Sequence, residues 1–125
     1  AGASRTYVVS EDRRVVAYYA LASGALACMA ATGKLRRNMP APLPMAILGR
    51  LAIDSAFQGR GLGRALFRDA ALRILSAADA IGIRGLIVHA ISDDAAAFYR
   101  ALGLEVSPAE PRTLMITLSE LRAAL

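Results

Sequence analysis

The chain has 125 residues, of which 56% are hydrophobic, and its mean hydropathy is +0.44. This length suits one domain with a single core. Charged residues interrupt every apolar segment before it reaches the roughly 18 residues of a membrane span, and the single cysteine excludes a disulfide framework. The single histidine has no cysteine or histidine partner at a chelating spacing, so we expect no metal site. Since no secretory signal precedes the first strand-like run, we expect a cytoplasmic location.

The positive charge is concentrated in the centre of the sequence. The formal net charge is +5, and residues 31–68 contain seven basic side chains but only one acidic side chain. The rest of the chain has eight basic and nine acidic residues, so the whole excess lies in this block. Such a block favours an anionic partner. The alternative is an arginine-rich solvated surface, since 14 of the 15 basic residues are arginine.

The hydrophobic pattern predicts one mixed α/β domain, in which a strand hairpin is followed by alternating strands and helices. The alternating prolines at 40, 42 and 44 mark 31–44 as a loop with an extended backbone. We therefore expect strands at 5–10, 15–26, 45–53 and 84–91, helices at 62–80 and 92–102, and a last strand and short helix within 113–121.

Three glycines fall within five residues directly before the long predicted helix. The stretch Gln58-Gly59-Arg60-Gly61-Leu62-Gly63 follows a strand, so it exposes backbone N–H groups at a helix N-terminus, where phosphate groups bind. A Walker loop is excluded because there is no Gly-Lys-Ser/Thr, and the Gly-x-Gly-x-Gly spacing differs from a Rossmann fingerprint. Arg60, Arg64 and Arg68 recur every four residues and add positive charge to one helix face.

The remaining spacing, Gln58-x-x-Gly61-x-Gly63, resembles the acetyl-CoA motif of the GNAT superfamily of N-acetyltransferases. "LAIDSAFQGRGLGRAL" is similar to the strand–loop–helix unit of that family, and "ISDDAAAFYRALGLEV" is similar to its later helix, which carries a tyrosine before a Leu-Gly turn. The resemblance implies a GNAT-like, mostly antiparallel twisted sheet flanked by helices. It also implies that 1–125 form a single domain that lacks the family's first strand and the helix or helices after it.

The same resemblance implies where acetyl-CoA binds as co-substrate and which residue acts as the acid. A bulge near Gly49 would splay the strand at 45–53 from its parallel neighbour at 84–91, so that the pantetheine arm can pair with the backbone there. Tyr99 is the implied general acid that protonates the CoA sulfur; the alternative for it is an aromatic core residue beside Phe98. The implied cofactor-binding residues are Leu51, Ala52, Ile53, Gln58, Gly59, Arg60, Gly61, Leu62, Gly63, Arg64 and Ser92, which stands where many members have asparagine.

A narrower resemblance concerns the acetyltransferase toxins of bacterial type II toxin–antitoxin modules, and the segments "RTYVV", "AYYALASG", "RRNMPAPLPMAILGRLAID" and "IRGLIVHAISDDAAAFYRALG" carry it. It implies acetylation of the α-amino group of aminoacyl-tRNA, which blocks translation. It also implies a ribbon-helix-helix antitoxin as partner and leaves a homodimer open. The implied tRNA contacts are Lys34, Arg36, Arg37 and Arg50. The alternatives are a GNAT enzyme that acetylates a small amine or a protein N-terminus, and a non-catalytic CoA-binding module.

The sequence offers no evident general base. Asp54 and Glu105 are candidates by residue type only, and the amine of an aminoacyl ester needs little help because much of it is already neutral at physiological pH. His89 lies in an apolar strand, where we expect a structural or site-edge residue rather than a base. Cys28 has no visible base partner and is expected to be a buried small hydrophobe rather than a nucleophile.

Overall fold

The computed structural model describes residues 4–26, 33, 43–59 and 61–125, so Cys28 and most of the expected loop at 31–44 lie outside the described residues. The larger predicted elements are confirmed in type and order. The strands are β1 (Arg5–Glu11), β2 (Arg14–Leu26), β3 (Leu43–Ile53), β4 (Gly85–His89), β5 (Glu105–Val106) and β6 (Thr113–Thr117). The helices are α1 (Leu62–Ile81), α2 (Asp93–Ala101) and α3 (Leu118–Ala123), and a 3-10 turn spans Ser55–Phe57.

The six strands form one sheet in the order β1-β2-β3-β4-β6-β5. β1 and β2 make the expected hairpin, whose turn residues Asp12 and Arg13 both have a positive φ. Neighbouring strands are antiparallel except β3 and β4, which run parallel. A parallel pair needs a crossover connection, and α1 supplies it. The predicted mixed, mostly antiparallel sheet with helices is therefore confirmed.

A β-bulge interrupts β3 at Gly49. In the register with β2, Ala20 lies opposite Arg50 and Leu21 lies opposite Leu48, so Gly49 is the extra residue on its strand. A bulge bends its strand and increases the local twist, which turns the rest of β3 away from its earlier direction. The irregularity predicted near Gly49 is confirmed.

The helix α1 covers one face of the sheet with an apolar stripe. Leu66, Ala70 and Ile74 recur at helical spacing and are at most 4% exposed. They form one cluster with buried side chains of the central strands, among them Tyr19, Leu48, Leu86, Val88 and Leu114. This packing fixes α1 against the sheet and thereby sets the position of its N-terminus. No helix in the described part of the chain is both long and apolar enough to span a membrane.

A polar network ties α1 to the β1–β2 hairpin. The Tyr19 hydroxyl donates a hydrogen bond to Asp69 and accepts one from Arg73 Nε at 2.9 Å. Arg73 also pairs with Asp69 at 3.2 Å, and its guanidinium carbon lies 4.0 Å from the centroid of the Tyr7 ring. Burial, together with the hydrogen bond to Asp69, raises the pKa of Tyr19 to about 12. The phenol therefore stays protonated and keeps donating at physiological pH.

Several element boundaries differ from the sequence-based expectation. β3 begins at Leu43 rather than at 45 because Pro44, although it has no N–H group, stays extended and accepts a hydrogen bond from the Arg84 N–H at 2.9 Å. β4 ends at His89 rather than at 91, since Ser92 already caps α2. The two-residue β5 and the 3-10 turn were not expected, because neither is long enough to show a hydrophobic period.

Candidate active site

A cavity of about 260 Å³ opens where β3 and β4 separate. The β3–β4 register covers only Ala46–Leu48 against Leu86–Val88. Beyond the bulge, Leu51–Ile53 have register partners on β2 alone among the described residues. The predicted splay between 45–53 and 84–91 is therefore confirmed. The cavity is lined by one residue of β2, the bulged part of β3, the end of β4 with the two residues after it, and α2: Tyr18, Leu48, Gly49, Arg50, Leu51, Ala52, His89, Ala90, Ile91, Ala95 and Tyr99.

The separated edge of β3 can accept an extended ligand. Backbone N–H and C=O groups that face a cavity need partners, and an amide-containing chain can supply them in the manner of an added strand. Leu51 and Ala52 line the cavity and are placed for such pairing. The carbonyl of Ile53 already accepts a hydrogen bond from the Gln58 side-chain amide at 3.1 Å. The side chain of Gln58 therefore braces the end of β3, and direct contacts of Ile53 and Gln58 with CoA stay predictions.

Tyr99 reaches the cavity from α2 and is 7% exposed. Its ring meets Phe98 edge-on with 5.2 Å between centroids, and Phe67 at 6.2 Å. Burial raises the pKa of Tyr99 above its ordinary value, so the phenol is protonated at neutral pH and can donate a proton. Tyr99 packs in the core, as one of the two alternatives expected, and it also lines the cavity. Its role as the acid stays a prediction.

Two left-handed glycines shape the corner in front of α1. Gly59 has a φ of 78°, and Gly61, the N-cap of the helix, has a φ of 75°. Residues with a β-carbon rarely adopt such angles. Apart from the chain neighbours, no atom of the described residues lies within 4 Å of the position that a β-carbon would take on either glycine, so the space there is open. The first N–H groups of a helix have no partner within the helix, so binding of an anion by those of α1 stays a prediction. Arg60 lies outside the described residues.

The third glycine of the motif, Gly63, is needed for close packing rather than for its backbone angle. A β-carbon on Gly63 would lie 3.3 Å from the Phe98 ring and 3.4 Å from the Ile53 side chain. Gly63 therefore lets α1 approach α2 and the end of β3. Its neighbour Leu62 packs against the core cluster, and Arg64 is exposed on the helix surface. Contacts of these three residues with CoA stay predictions.

Neither carboxylate considered as a base lines the cavity with Tyr99. Asp54 accepts a hydrogen bond from the Ala56 N–H at 2.9 Å and pairs with Arg14 at 2.5 Å. These partners hold the pKa of Asp54 below its ordinary value, which makes it a weak proton acceptor. Glu105 lies on β5, the last strand at one edge of the sheet. The structure therefore supports neither residue as the base.

The predicted contacts to phosphate and RNA are described only in part. Arg50 is exposed at the bulge and lines the cavity, which agrees with a position beside the acceptor. Lys34, Arg36 and Arg37 lie outside the described residues. Ser92 uses its Oγ to accept a hydrogen bond from the Ala95 N–H at 3.1 Å, so this oxygen caps α2. A contact between Ser92 and CoA stays a prediction.

His89 lies at the rim of the cavity, at the C-terminal end of β4, and its side chain is exposed. Its Nδ1 is 3.1 Å from the Oγ1 of Thr113 on β6. The expectation of a site-edge residue is confirmed. The described residues include no group of three or more histidine, cysteine, aspartate or glutamate side chains that could hold a metal ion.

Some of the cavity lining gives no signal in the sequence. Ala90 and Ala95 carry no functional group, and Ile91, which is 86% exposed, looks like any apolar residue after a strand. Tyr18 is one of two adjacent tyrosines on β2, and only the register of the strand decides which of them faces the cavity. The sequence predicts several of the polar groups that line the cavity, but not Tyr18 or the apolar side chains between them.

Comparison with known proteins identifies the family. The pattern of the acetyltransferase (GNAT) domain matches residues 2–106. This chain belongs to the GNAT acetyltransferase family. A relative named tRNA-acetylating toxin, from Mycobacterium tuberculosis (strain ATCC 25618 / H37Rv), is 50% identical over 124 residues, which cover 99% of this chain and 75% of the relative.

Solved structures of the toxin AtaT share the fold at more than 25% identity. One is AtaT complexed with acetyl-methionyl-tRNAfMet, with a TM-score of 0.85 and 29% identity over 96% of this chain and 74% of that one. The other is a tyrosine-to-phenylalanine variant of AtaT bound to the C-terminus of the antitoxin AtaR and acetyl-CoA. Its TM-score is 0.79 with 29% identity over 96% of this chain and 70% of that one. The resemblance to GNAT acetyltransferases and the fold it implied are confirmed.

Proposed function

We propose that this GNAT domain transfers the acetyl group of acetyl-CoA to the α-amino group of aminoacyl-tRNA and thereby blocks translation. The observation that carries the proposal is the cavity in which the buried phenol of Tyr99 meets the separated edge of β3. The choice of acceptor is supported by the 50% identity to a tRNA-acetylating toxin and by the likeness to AtaT complexed with acetyl-methionyl-tRNAfMet.

The described residues fit acetyl-CoA at three places. The open corner formed by Gly59 and Gly61 before α1 suits the pyrophosphate, because left-handed glycines and helix N–H groups favour an anion there. Leu51 and Ala52 suit the amide groups of the pantetheine arm, since no β4 partner faces them among the described residues. Tyr99 suits the sulfur end. The co-substrate supplies the activated acyl group as a thioester.

The protein's part in the transfer is to orient the reactants and to move one proton at each of two atoms. The amine nitrogen forms a bond to the acetyl carbonyl carbon, and the carbon–sulfur bond breaks. Tyr99 gives its phenolic proton to the departing sulfur, which leaves as a thiol. Because burial raises the pKa of Tyr99, the phenol keeps its proton until the sulfur needs it. The nitrogen loses one proton, which ends in the solvent, and Tyr99 regains one from the solvent, so the overall transfer neither consumes nor releases protons.

The inferred biological context follows from the same relatives. We infer a ribbon-helix-helix antitoxin as protein partner, supported by the likeness to AtaT bound to the C-terminus of the antitoxin AtaR. We also infer that residues 1–125 form a single N-acetyltransferase domain that acts in the cytoplasm, where charged tRNA is present. Arg50 at the cavity rim, together with Lys34, Arg36 and Arg37, would contact tRNA phosphates.

The test is transfer of labelled acetyl from acetyl-CoA by the full natural protein. Charged tRNA, free amino acids, peptides and polyamines are compared as acceptors, with Tyr99→Phe as the matched inactive variant. The proposal expects label on the aminoacyl group of charged tRNA and a strong loss with Tyr99→Phe. Label on peptides or polyamines but not on charged tRNA would agree with the family assignment but would rule out aminoacyl-tRNA as the acceptor. CoA binding without transfer to any of them would favour a non-catalytic module.

A further inference from the structure

His89 and Tyr99 line the same cavity from different elements. His89 comes from the end of β4, after the point where β4 has lost its pairing with β3, and Tyr99 comes from α2. Tyr99 is 7% exposed, whereas the His89 side chain is exposed to solvent. The cavity therefore holds an enclosed proton donor and an imidazole at its solvent side. We expect the attacking amine to enter from the side on which His89 is exposed, because Tyr99 is buried.

Thr113 orients the imidazole from the neighbouring strand. His89 and Thr113 are register partners on β4 and β6, and Nδ1 lies 3.1 Å from Oγ1. Thr113 is 8% exposed, so it is a fixed partner within the sheet. This is the one hydrogen bond that the ring makes among the described residues. When Nδ1–H donates to the threonine oxygen, Nε2 carries the lone pair and can accept a proton.

The other charged and titratable groups around His89 do not compete for that proton. The cavity wall contributes a guanidinium and two phenols, from Arg50 on β3, Tyr18 on β2 and Tyr99 on α2. On the β6 side, Arg112 precedes Thr113 and pairs with Asp93 at 3.3 Å. The described lining contains no carboxylate, so the imidazole is the one side chain in that lining with a free ring nitrogen that can accept a proton from an amine.

We propose that Nε2 of His89 accepts the proton that the attacking amine has to lose, an inference that rests on the proposed function. As the carbon–nitrogen bond forms and the carbon–sulfur bond breaks, the nitrogen passes one proton to Nε2, directly or through one water. Tyr99 passes its phenolic proton to the sulfur. The imidazolium then releases its proton to solvent, and Tyr99 regains one from solvent. A neutral aminoacyl amine makes the attack easier, but it still has to lose this proton as the amide forms.

Four measurements on the full natural protein test the proposal. They are kcat for charged tRNA, acetyl-CoA affinity, thermal stability and the ring ¹⁵N shifts of His89, whose signals are assigned by their absence in His89→Gln. His89→Gln, His89→Asn and His89→Ala should each lower kcat by about 10²-fold or more, while acetyl-CoA affinity and Tm stay near wild type. Added imidazole should restore part of the His89→Ala rate, increasingly as pH rises and more of it is neutral. The ring shifts should report the Nδ1–H tautomer.

The outcomes separate this proposal from the proposed function. Wild-type transfer to charged tRNA with undiminished rates in His89→Gln would overturn the role of His89 and leave the proposed function intact. A loss in His89→Ala that imidazole does not restore would also overturn it, and activity in His89→Asn would then assign the ring to the hydrogen bond with Thr113. Ring shifts that report an Nε2–H tautomer would also overturn the role of His89, because that nitrogen could not then accept a proton. Wild-type protein that does not acetylate charged tRNA would overturn the proposed function, and this inference with it.

Discussion

Gly63 on α1 lies so close to Phe98 on α2 that a β-carbon on Gly63 would stand 3.3 Å from the aromatic ring. Gly59 and Gly61 have open space instead and left-handed φ values. The three glycines of one motif therefore meet two requirements. Two shape the backbone in front of the helix, and the third lets α1 meet the helix that carries Tyr99. The glycine corner and Tyr99 are thereby held in a fixed relation, since Phe98 precedes Tyr99 on α2.

Gly63→Val should lower the stability of the whole domain. The added side chain would push against Phe98 and Ile53, and overpacking of this kind costs about 1–3 kcal/mol. Thermal unfolding should show a lower Tm, and kcat should fall along with it because the displaced Phe98 is next to Tyr99. A variant with wild-type Tm would mean that α1 and α2 are not in close contact at this position.

Gly61→Val should weaken acetyl-CoA binding while the fold persists. Valine at a φ of 75° is strained by about 1–2 kcal/mol, and its side chain would enter the open space where an anion is expected. Gly82→Val is the matched control, because Gly82 caps the other end of α1 with a φ of 69° and equally open surroundings. Both variants should lose similar stability in thermal unfolding, but calorimetric titration with CoA should show lower affinity for Gly61→Val alone. Equal affinities of the two variants would remove the corner from the CoA site.

Tyr99→Phe should lower turnover by about 10²–10⁴-fold and leave acetyl-CoA affinity nearly unchanged. Phenylalanine keeps the packing against Phe98 and Phe67, so Tm should stay near wild type. Because burial raises the pKa of Tyr99, the donor form should persist to higher pH than for an ordinary phenol, and wild-type kcat should not fall through loss of this proton near neutral pH. Tyr7→Phe removes a phenol outside the cavity and should turn over normally. Wild-type turnover by Tyr99→Phe would exclude it as the acid.

Local sequence patterns predict the candidate reactive groups better than they predict the contacts that hold those groups in place. The glycine spacing, the bulge at Gly49 and the tyrosine before the Leu-Gly turn are local patterns, and the structure has the bulge and the corner where they were expected. The close contact of Gly63 with Phe98 depends on how α1 and α2 meet, which no local period encodes. The hydrogen bond from Gln58 to the Ile53 carbonyl cannot be predicted from the sequence either, because the Gln58 amide could equally have bonded to another protein group or to a ligand.

The hydrogen-bond network around Tyr19 also depends on packing that the sequence does not encode. Asp69 and Arg73 are four residues apart on a predicted helix, so their ion pair could be expected from sequence. Their common partner is a phenol 50 residues away from Asp69, and only the packing of α1 on β2 brings it there. Adjacent Tyr18 and Tyr19 face opposite sides of the sheet, and one slip of register would exchange their roles.

Tyr19→Phe should lower stability by about 1 kcal/mol at neutral pH, because Asp69 and Arg73 lose the hydroxyl between them. The pKa of Tyr19 is raised to about 12 in the folded protein, against about 10 in the unfolded chain. Its contribution is therefore fully present below about pH 10 and is lost as pH rises towards 12. Urea unfolding should show a difference between wild type and variant that shrinks in this range. Tyr18→Phe, on the opposite face of β2, is the control, and a difference that stays constant up to pH 12 would contradict the assignment.

Recognition of the acceptor should be electrostatic and should depend on where the positive charge lies. The excess charge is confined to residues 31–68, and Arg36 and Arg37 are adjacent in the proline-containing segment before β3. Phosphate contacts release counterions, so the affinity for charged tRNA should fall steeply with salt, by roughly 0.7–0.9 in logarithmic slope for each phosphate neutralised. Changing Arg36 and Arg37 together to alanine should weaken binding and lower this slope by roughly one to two units.

The matched control removes the same charge elsewhere. Arg5 on β1 and Arg122 on α3 are exposed and outside the cavity lining, so the pair Arg5→Ala and Arg122→Ala alters net charge equally. Filter binding of charged tRNA across a salt series should separate the two double variants, and calorimetry should show unchanged acetyl-CoA affinity for both. If the slope falls equally in both double variants, tRNA affinity depends on net charge alone, and the charges in residues 31–68 make no specific contact with tRNA. If neither loses any and transfer continues, the acceptor is a small amine or a peptide rather than tRNA, because such substrates carry no phosphate backbone whose counterions could be released.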